Sequence, residues 1–295
     1  MADSIKIGSL DISSFKVGNT DVDAIYLGTS LVYSGDTPTP PTPTPSYSGQ
    51  YLTFVATESG TFKFSGNSID YSLDSGNTWT TLASDTDSPT VNAGNKIIWK
   101  AELTPTSSIG IGRFSSTANF TVEGNPMSLL YGDNFVGQTS LSEKNYAFYK
   151  LFSGNTNVTS AENLSLPATT LANYCYYNMF RGCTSLTTAP ELPATTLAIF
   201  CYYYMFQGCT SLTKAPSVLP ATVLTQSCYQ SMFFSCTSLS AITCLATDIS
   251  ASNCTKNWVN GVAASGTFTK AASMTSWTSG KNGIPSGWSV QDVTV

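Results

Sequence analysis

Apolar positions recur at a fixed period through the second half of the chain. Residues 166–191 read LPATTLANYCYYNMFRGCTSLTTAPE and residues 192–217 read LPATTLAIFCYYYMFQGCTSLTKAPS. After one extra residue, Val218, residues 219–244 read LPATVLTQSCYQSMFFSCTSLSAITC. A worn copy follows at 245–270, and residues 151–162 align as another, with Phe152 over Phe206 and Val158 over Leu212. Within a copy, Leu171, Cys175, Met179 and Cys183 are four apart, and Ala172, Tyr176 and Phe180 widen the same stripe. That spacing predicts a short helix with one apolar face, stopped near Gly182. The stretch from Leu186 to Leu192, interrupted by Pro190, reads as a short, irregular strand. Such a unit cannot cover its own apolar surfaces, so the copies are expected to stack, with the worn outer ones as caps.

A second, shorter repeat opens the chain. IKIGSLDI, FKVGNTDV and IYLGTSLV follow one another with a period of ten and a glycine at Gly8, Gly18 and Gly28. Alternating apolar residues about a glycine predict short hairpins. A module as short as 1–34 has too little core to stand alone, so it is expected to dock or oligomerise through Ile5, Ile7, Phe15, Val17, Ile25 and Leu27. Residues 35–47 form a Pro/Thr linker, which as polyproline II would span on the order of 40 Å. Residues 48–125 predict an all-β sandwich, with strands near 51–56, 61–64, 69–72, 79–82, 96–101 and 118–122. Residues 126–165 enter the repeats as a cap, and 271–295, with Trp277, Ile284, Pro285 and Trp288, seal the far end. The expected fold class is therefore multidomain: a small N-terminal β module, a sandwich, then an α/β solenoid over 126–270, which the resemblance stated below would make a leucine-rich-repeat solenoid.

One local motif carries its own mechanism. Ser72, Asp74, Gly76 and Trp79 fit the pattern S-x-D-x-G-x-x-W. The carboxylate is expected to accept backbone N–H groups in the turn, Gly76 to take a positive φ, and Trp79 to pack beneath. The pattern resembles the Asp-box hairpin of sialidases and other β proteins, where it lies away from the catalytic site. A single copy implies a structural turn.

Composition narrows the chemistry. Charged residues make up 11% of the 295, against about 25% in ordinary domains, and the net charge is −5 with 13 basic residues. Nucleic acid is not an expected partner, and no apolar run is long enough to insert in a membrane. The chain has no histidine, which removes His-based triads, and only Arg181, Glu191 and Lys214 are charged between 166 and 244, so no carboxylate pair is available there. No catalytic residues, metal ligands or cofactor are expected. All eight cysteines lie in the repeats, with Cys175, Cys201, Cys228 and Cys254 in one column and Cys183, Cys209 and Cys236 in another. Their spacing does not suit zinc, and the favoured reading is a ladder of buried thiols. Tyr174, Tyr177, Phe200, Tyr203 and Tyr204 fall outside the apolar stripe. Rings flanked by amides and hydroxyls suit neutral sugars, and they equally suit packing on a neighbouring subunit; both readings stay open.

The motif LPATTL…C…MF.GCTSLT.AP resembles the BspA-like leucine-rich-repeat proteins of Bacteroides and related organisms, a family of surface and adhesion proteins. The segment 1–34 resembles N-terminal modules on structural proteins of tailed phages that infect gut Bacteroides, including crAss-like phages. Together these resemblances imply a non-enzymatic virion structural protein, a head or tail fibre or decoration protein on the particle exterior. It would dock on capsid or tail proteins by its N-terminus, form a homotrimer, and present the repeats to host capsule or gut glycans. The start, MADSIKIGSL, has no basic flank followed by an apolar core. The virion reading is therefore preferred over the alternative, a bacterial cell-surface adhesin.

Overall fold

The computed structural model describes residues 49–293 in full and, of the first 48, the backbone of six strands. It divides into two compact units, 1–42 and 43–295. In the first, β1 (Ile5–Ile7) pairs antiparallel with β2 (Leu10–Ile12), β3 (Lys16–Val17) with β4 (Thr20–Asp21), and β5 (Ala24–Leu27) with β6 (Ser30–Ser34). The pairing Ile7↔Leu10 leaves two residues between the strand ends, the length of a tight hairpin connection. Of the expected docking residues, Ile5 and Ile7 lie on β1, Val17 on β3, and Ile25 and Leu27 on β5. Phe15 and the linker 35–47 lie outside the described residues.

The second unit begins with a β region. Its strands are β7 (Leu52–Ala56), β8 (Phe62–Gly66), β9 (Ile69–Ser72), β10 (Thr80–Leu82), β11 (Lys96–Lys100), β12 (Gly112–Ser116) and β13 (Phe120–Gly124). After them comes β14 (Val158–Leu164), and the main sheet runs β10-β9-β11-β7-β13-β14, antiparallel except for β13 with β14. β12 pairs with β8 in a separate two-stranded ladder. Apolar residues alternate inward along these strands, and their rings converge on Phe54. Its ring centre lies 5.3 Å from Phe62, 5.5 Å from Trp99 and 4.8 Å from both Phe114 and Phe120. Phe152, a ring of the first coil, stands 5.8 Å from Phe54, so both regions share one core.

The repeats stack, but they are not α/β. Among the described residues strand makes up 29% and helix 3%, and the one α-helix there, α1 (Ser128–Tyr131), lies ahead of the repeats. The expected helix at 171–183 is instead a ribbon of linked turns. Cys175, Tyr177, Met179, Arg181 and Cys183 each donate N–H to the carbonyl three residues back. The alternate residues Tyr174, Tyr176, Asn178, Phe180 and Gly182 donate to the next coil, at the carbonyls of Ile199, Cys201, Tyr203, Met205 and Gln207, over 2.7–3.1 Å. A helix would direct every N–H along its own chain. Every fourth residue has positive φ: Tyr174, Asn178 and Gly182, then Phe200, Tyr204 and Gly208, then Ser227, Ser231 and Ser235. This is the third position of a type II turn. For a residue with a Cβ it costs roughly 1–2 kcal/mol. The turns point side chains in pairs: Cys175 and Tyr176 in, Tyr177 outward, Met179 and Phe180 in.

On the opposite side the coils meet as parallel bridges. Ser160 pairs with Thr188 and Thr188 with Lys214, which extends the line of β14 into the repeats. At the far end β15 (Ala241–Cys244), β16 (Thr267–Ala271) and β17 (Ser289–Val293) form a parallel sheet. Identical positions stack inside. One column runs Phe148, Tyr176, Tyr202, Tyr229 and Trp258, with ring centres 5.6–6.2 Å apart; another runs Phe152, Phe180, Phe206 and Phe233, 5.2–5.7 Å apart. Trp277 stacks on Trp258 at 5.5 Å, and the Trp288 indole donates to the Ala263 carbonyl.

Phe206 touches rings on both sides and is fully buried. Phe206→Ala is therefore expected to cost about 3–5 kcal/mol. A denaturant titration that found less than about 1 kcal/mol would contradict a tightly packed column.

Candidate functional site

The outward residues of the turn ribbon form a face of stacked rings. Tyr146, Tyr174 and Phe200 lie in one column, with centres 4.6 and 4.9 Å apart and planes within 8°. Tyr149, Tyr177 and Tyr203 form a second, at 5.3 and 4.8 Å. Tyr204 packs edge-on against Tyr203 at 4.0 Å. The structure thus brings together all five rings singled out from the sequence, each half-buried, and adds Tyr146 and Tyr149 one coil earlier. Those two were missed because the residues ahead of Leu151 were not aligned with the repeat. The signal was present: Tyr146-x-x-Tyr149 has the spacing of Tyr174-x-x-Tyr177 and Phe200-x-x-Tyr203.

The coil register creates these columns. Tyr146 donates N–H to the Asn173 carbonyl, Tyr174 to that of Ile199 and Phe200 to that of Gln226, so equivalent residues lie one above another. Asn145 Oδ1 accepts from Asn173 N and Asn173 Oδ1 from Ile199 N, both at 3.1 Å, which pins the entry to each ribbon. At the other end the Arg181 Nε donates to Gln207 Oε1 at 2.7 Å, with the guanidinium over the Tyr204 ring. Burial pushes the pKa values of Tyr146, Tyr177 and Tyr203 up, so these hydroxyls stay protonated and neutral. Inside a column each ring spends its faces on its neighbours. Most of this surface therefore offers ring edges and hydroxyls.

The thiols elsewhere are sealed. All eight cysteines are free and buried. Burial pushes the thiols of Cys175, Cys209, Cys228 and Cys244 up to about 12 and those of Cys183, Cys201 and Cys236 well above the ordinary value. Cys183, Cys209 and Cys236 donate S–H to the carbonyls of Phe152, Phe180 and Phe206 in the preceding coil, at 3.0–3.1 Å. In a groove on the bridge side, both Glu191 carboxylate oxygens accept from Ser217 N at 3.0 Å, and Lys214 faces Glu162 at 4.0 Å.

The S-x-D-x-G-x-x-W turn is built around two side chains. Ser72 Oγ donates to Asp74 Oδ1 at 2.6 Å and accepts the N–H groups of Asp74 and Gly76. Asp74 accepts from Thr78 N at 2.9 Å and Thr78 Oγ1 at 2.7 Å, and Gly76 has φ +92. Trp79 packs against Tyr51 at 5.0 Å with the Lys100 ammonium 4.3 Å above its ring. These bonds, Ser72's first, hold Asp74 down at about 2.

Two measurements follow from these environments. Thiol labelling of the native chain should leave the seven thiols other than Cys254 unmodified, and all eight should react in denaturant. Fast native labelling of Cys175 or Cys209 would show the columns to be open. The folded value of Asp74 lies below its unfolded 3.8, so its stabilisation is complete well above pH 4 and is lost as pH falls towards 2. Asp74→Ala should lower the melting temperature at pH 7, and the gap from wild type should narrow between pH 4 and 2. A gap constant with pH would mean that the charge is not what matters.

Compared with protein-family models, curated proteins and solved structures, the chain matches none, so its function has to be read from its own side chains.

Proposed function

We propose that the chain is a non-catalytic attachment protein, a structural component of a tailed-phage virion. Its N-terminal hairpins dock on capsid or tail proteins, and its coil stack presents the ring face to the host surface. The observation that carries this reading is the ring face itself. Six aromatic side chains stand in two columns with Tyr204 edge-on beside them, burial pushes the hydroxyls of Tyr146, Tyr177 and Tyr203 further from ionisation, and only Arg181, Glu191 and Lys214 are charged between 166 and 244. Neutral hydroxyls beside rings recognise hydroxyl-rich ligands such as capsule or gut glycans. The sealed thiols and engaged carboxylates leave those regions no evident nucleophile or general base. The resemblance of the segment 1–34 to phage structural modules supports docking at that end, and trimerisation is the arrangement such modules favour.

The reading is tested by peptide mapping of purified virions together with binding of the full chain to host cells. The expected outcome is that the chain co-purifies with particles and binds cells, with reduced binding after capsule removal. Its absence from particles and presence on the bacterial surface would replace the virion assignment with the adhesin one. No binding to any cell would remove the attachment role.

A further inference from the structure

The ring columns end abruptly, and the two ends differ. At the first coil the 106–110 loop packs against the ribbon backbone: a β-carbon on Gly110 would lie 2.9 Å from the Tyr146 carbonyl oxygen and 3.0 Å from Tyr149 Cβ. At the third coil no ring continues. The positions of Tyr174 and Phe200 are taken there by Ser227, and those of Tyr177 and Tyr203 by Gln230; the coil after that has Asn253 and Lys256. Ser227 is buried, at 1% exposed, where its counterparts Tyr174 and Phe200 are half-buried. Among the described residues, neither Phe200 nor Tyr203 meets another ring on this side.

We infer that this step is a saccharide subsite, where a neutral pyranose stacks on the outer faces of Phe200 and Tyr203. The inference rests on the attachment reading and deepens it by naming the place and the ligand class. Higher in the columns the ring faces are spent on each other, and a sugar that stacks through its C–H face needs a free one. At the last rung Phe200 and Tyr203 stand side by side, with ring centres 5.4 Å apart. The floor supplies the complement: Gln230 half-exposed beside the rings, with Gln226 and Asn253 exposed around it. Amides donate and accept together, which suits the hydroxyls of a pyranose. Gln226, Gln230 and Asn253, the residues next to Phe200 and Tyr203, are uncharged, and Lys256 stands one rung farther on, so the ring faces themselves favour a neutral sugar over a sulfated or uronic one.

The step can be filled without disturbing the fold, because the repeat itself shows what fills it. Tyrosine and phenylalanine already occupy this turn position, with its positive φ, at Tyr174 and Phe200. The double variant Ser227→Tyr, Gln230→Tyr should extend both columns by one rung and cover the two free faces. Binding of the full chain is measured on an array of neutral pyranose oligosaccharides, with sulfated and sialylated oligosaccharides as charged controls and thermal melts alongside. Wild type should bind one or more neutral oligosaccharides. Phe200→Ala should weaken that binding about tenfold or more. The filled double variant should lose it while melting no lower than wild type. Undiminished binding by the filled variant would overturn the inference and leave the attachment reading standing. So would wild-type binding confined to charged oligosaccharides. A wild-type chain that bound neither the array nor host cells would remove both.

Discussion

The structure depends on how each coil shares out its backbone N–H groups. In every ribbon, alternate amides close turns within the coil and the others donate to the coil that follows. The pattern recurs from the ribbon of Tyr146 to that of Ser227, at 3.3 Å or less. Each coil thus serves as template for the next, and register is set by backbone bonds before any side chain is chosen. Side chains then stack like on like. The buried phenylalanine and tyrosine columns, the thiol columns and the outer rings are consequences of that one constraint.

It also explains features that would be costly in isolation. Aromatic and serine residues with positive φ are strained singly. Here they recur because the turn at each of them sends a pair of apolar side chains inward, and those pairs are buried between neighbours on both sides. The column of Gly154, Gly182 and Gly208 shows how close the coils come. A β-carbon on Gly208 would stand 3.8 Å from the Gly182 Cα. Ends are where such a stack is vulnerable, because a terminal coil has only one neighbour. Phe54 and its ring cluster cover one end by merging with Phe152, and Trp277 and Trp288 cover the other.

For function, the value of this architecture is placement. A ring held by its neighbours on both faces cannot swing, so a ligand that meets the columns meets a surface already ordered. Polar repetition does not interrupt that order: threonine hydroxyls such as those of Thr187 and Thr213 donate to carbonyls of the coil before. What varies along the face is therefore only which side chain the sequence writes at each rung. The change from Phe200 to Ser227 is the sharpest of these variations.

The repeat length, the inward residues Cys175, Tyr176, Met179 and Phe180, the strands about Phe54 and the S-x-D-x-G-x-x-W turn were all legible in the sequence, because each is local or periodic. The five outer rings were legible too, as polar-flanked aromatics outside the apolar stripe. The nature of the ribbon was not. Pairs of apolar residues at intervals of four satisfy an amphipathic helix and a chain of alternating turns equally well. The distinction lies in where the N–H groups go, which no residue pattern within one copy records. Asn178, Gly182, Ser231 and Ser235, turn formers four apart, were the trace of it, masked by Tyr174 and Phe200 at equivalent positions. The sequence by itself determined that copies must stack and which side chains they bury. Only the tertiary structure decided that coils hydrogen-bond through their turns, because that choice belongs to two coils at once, and with it whether an outer ring shows a ligand its edge or its face.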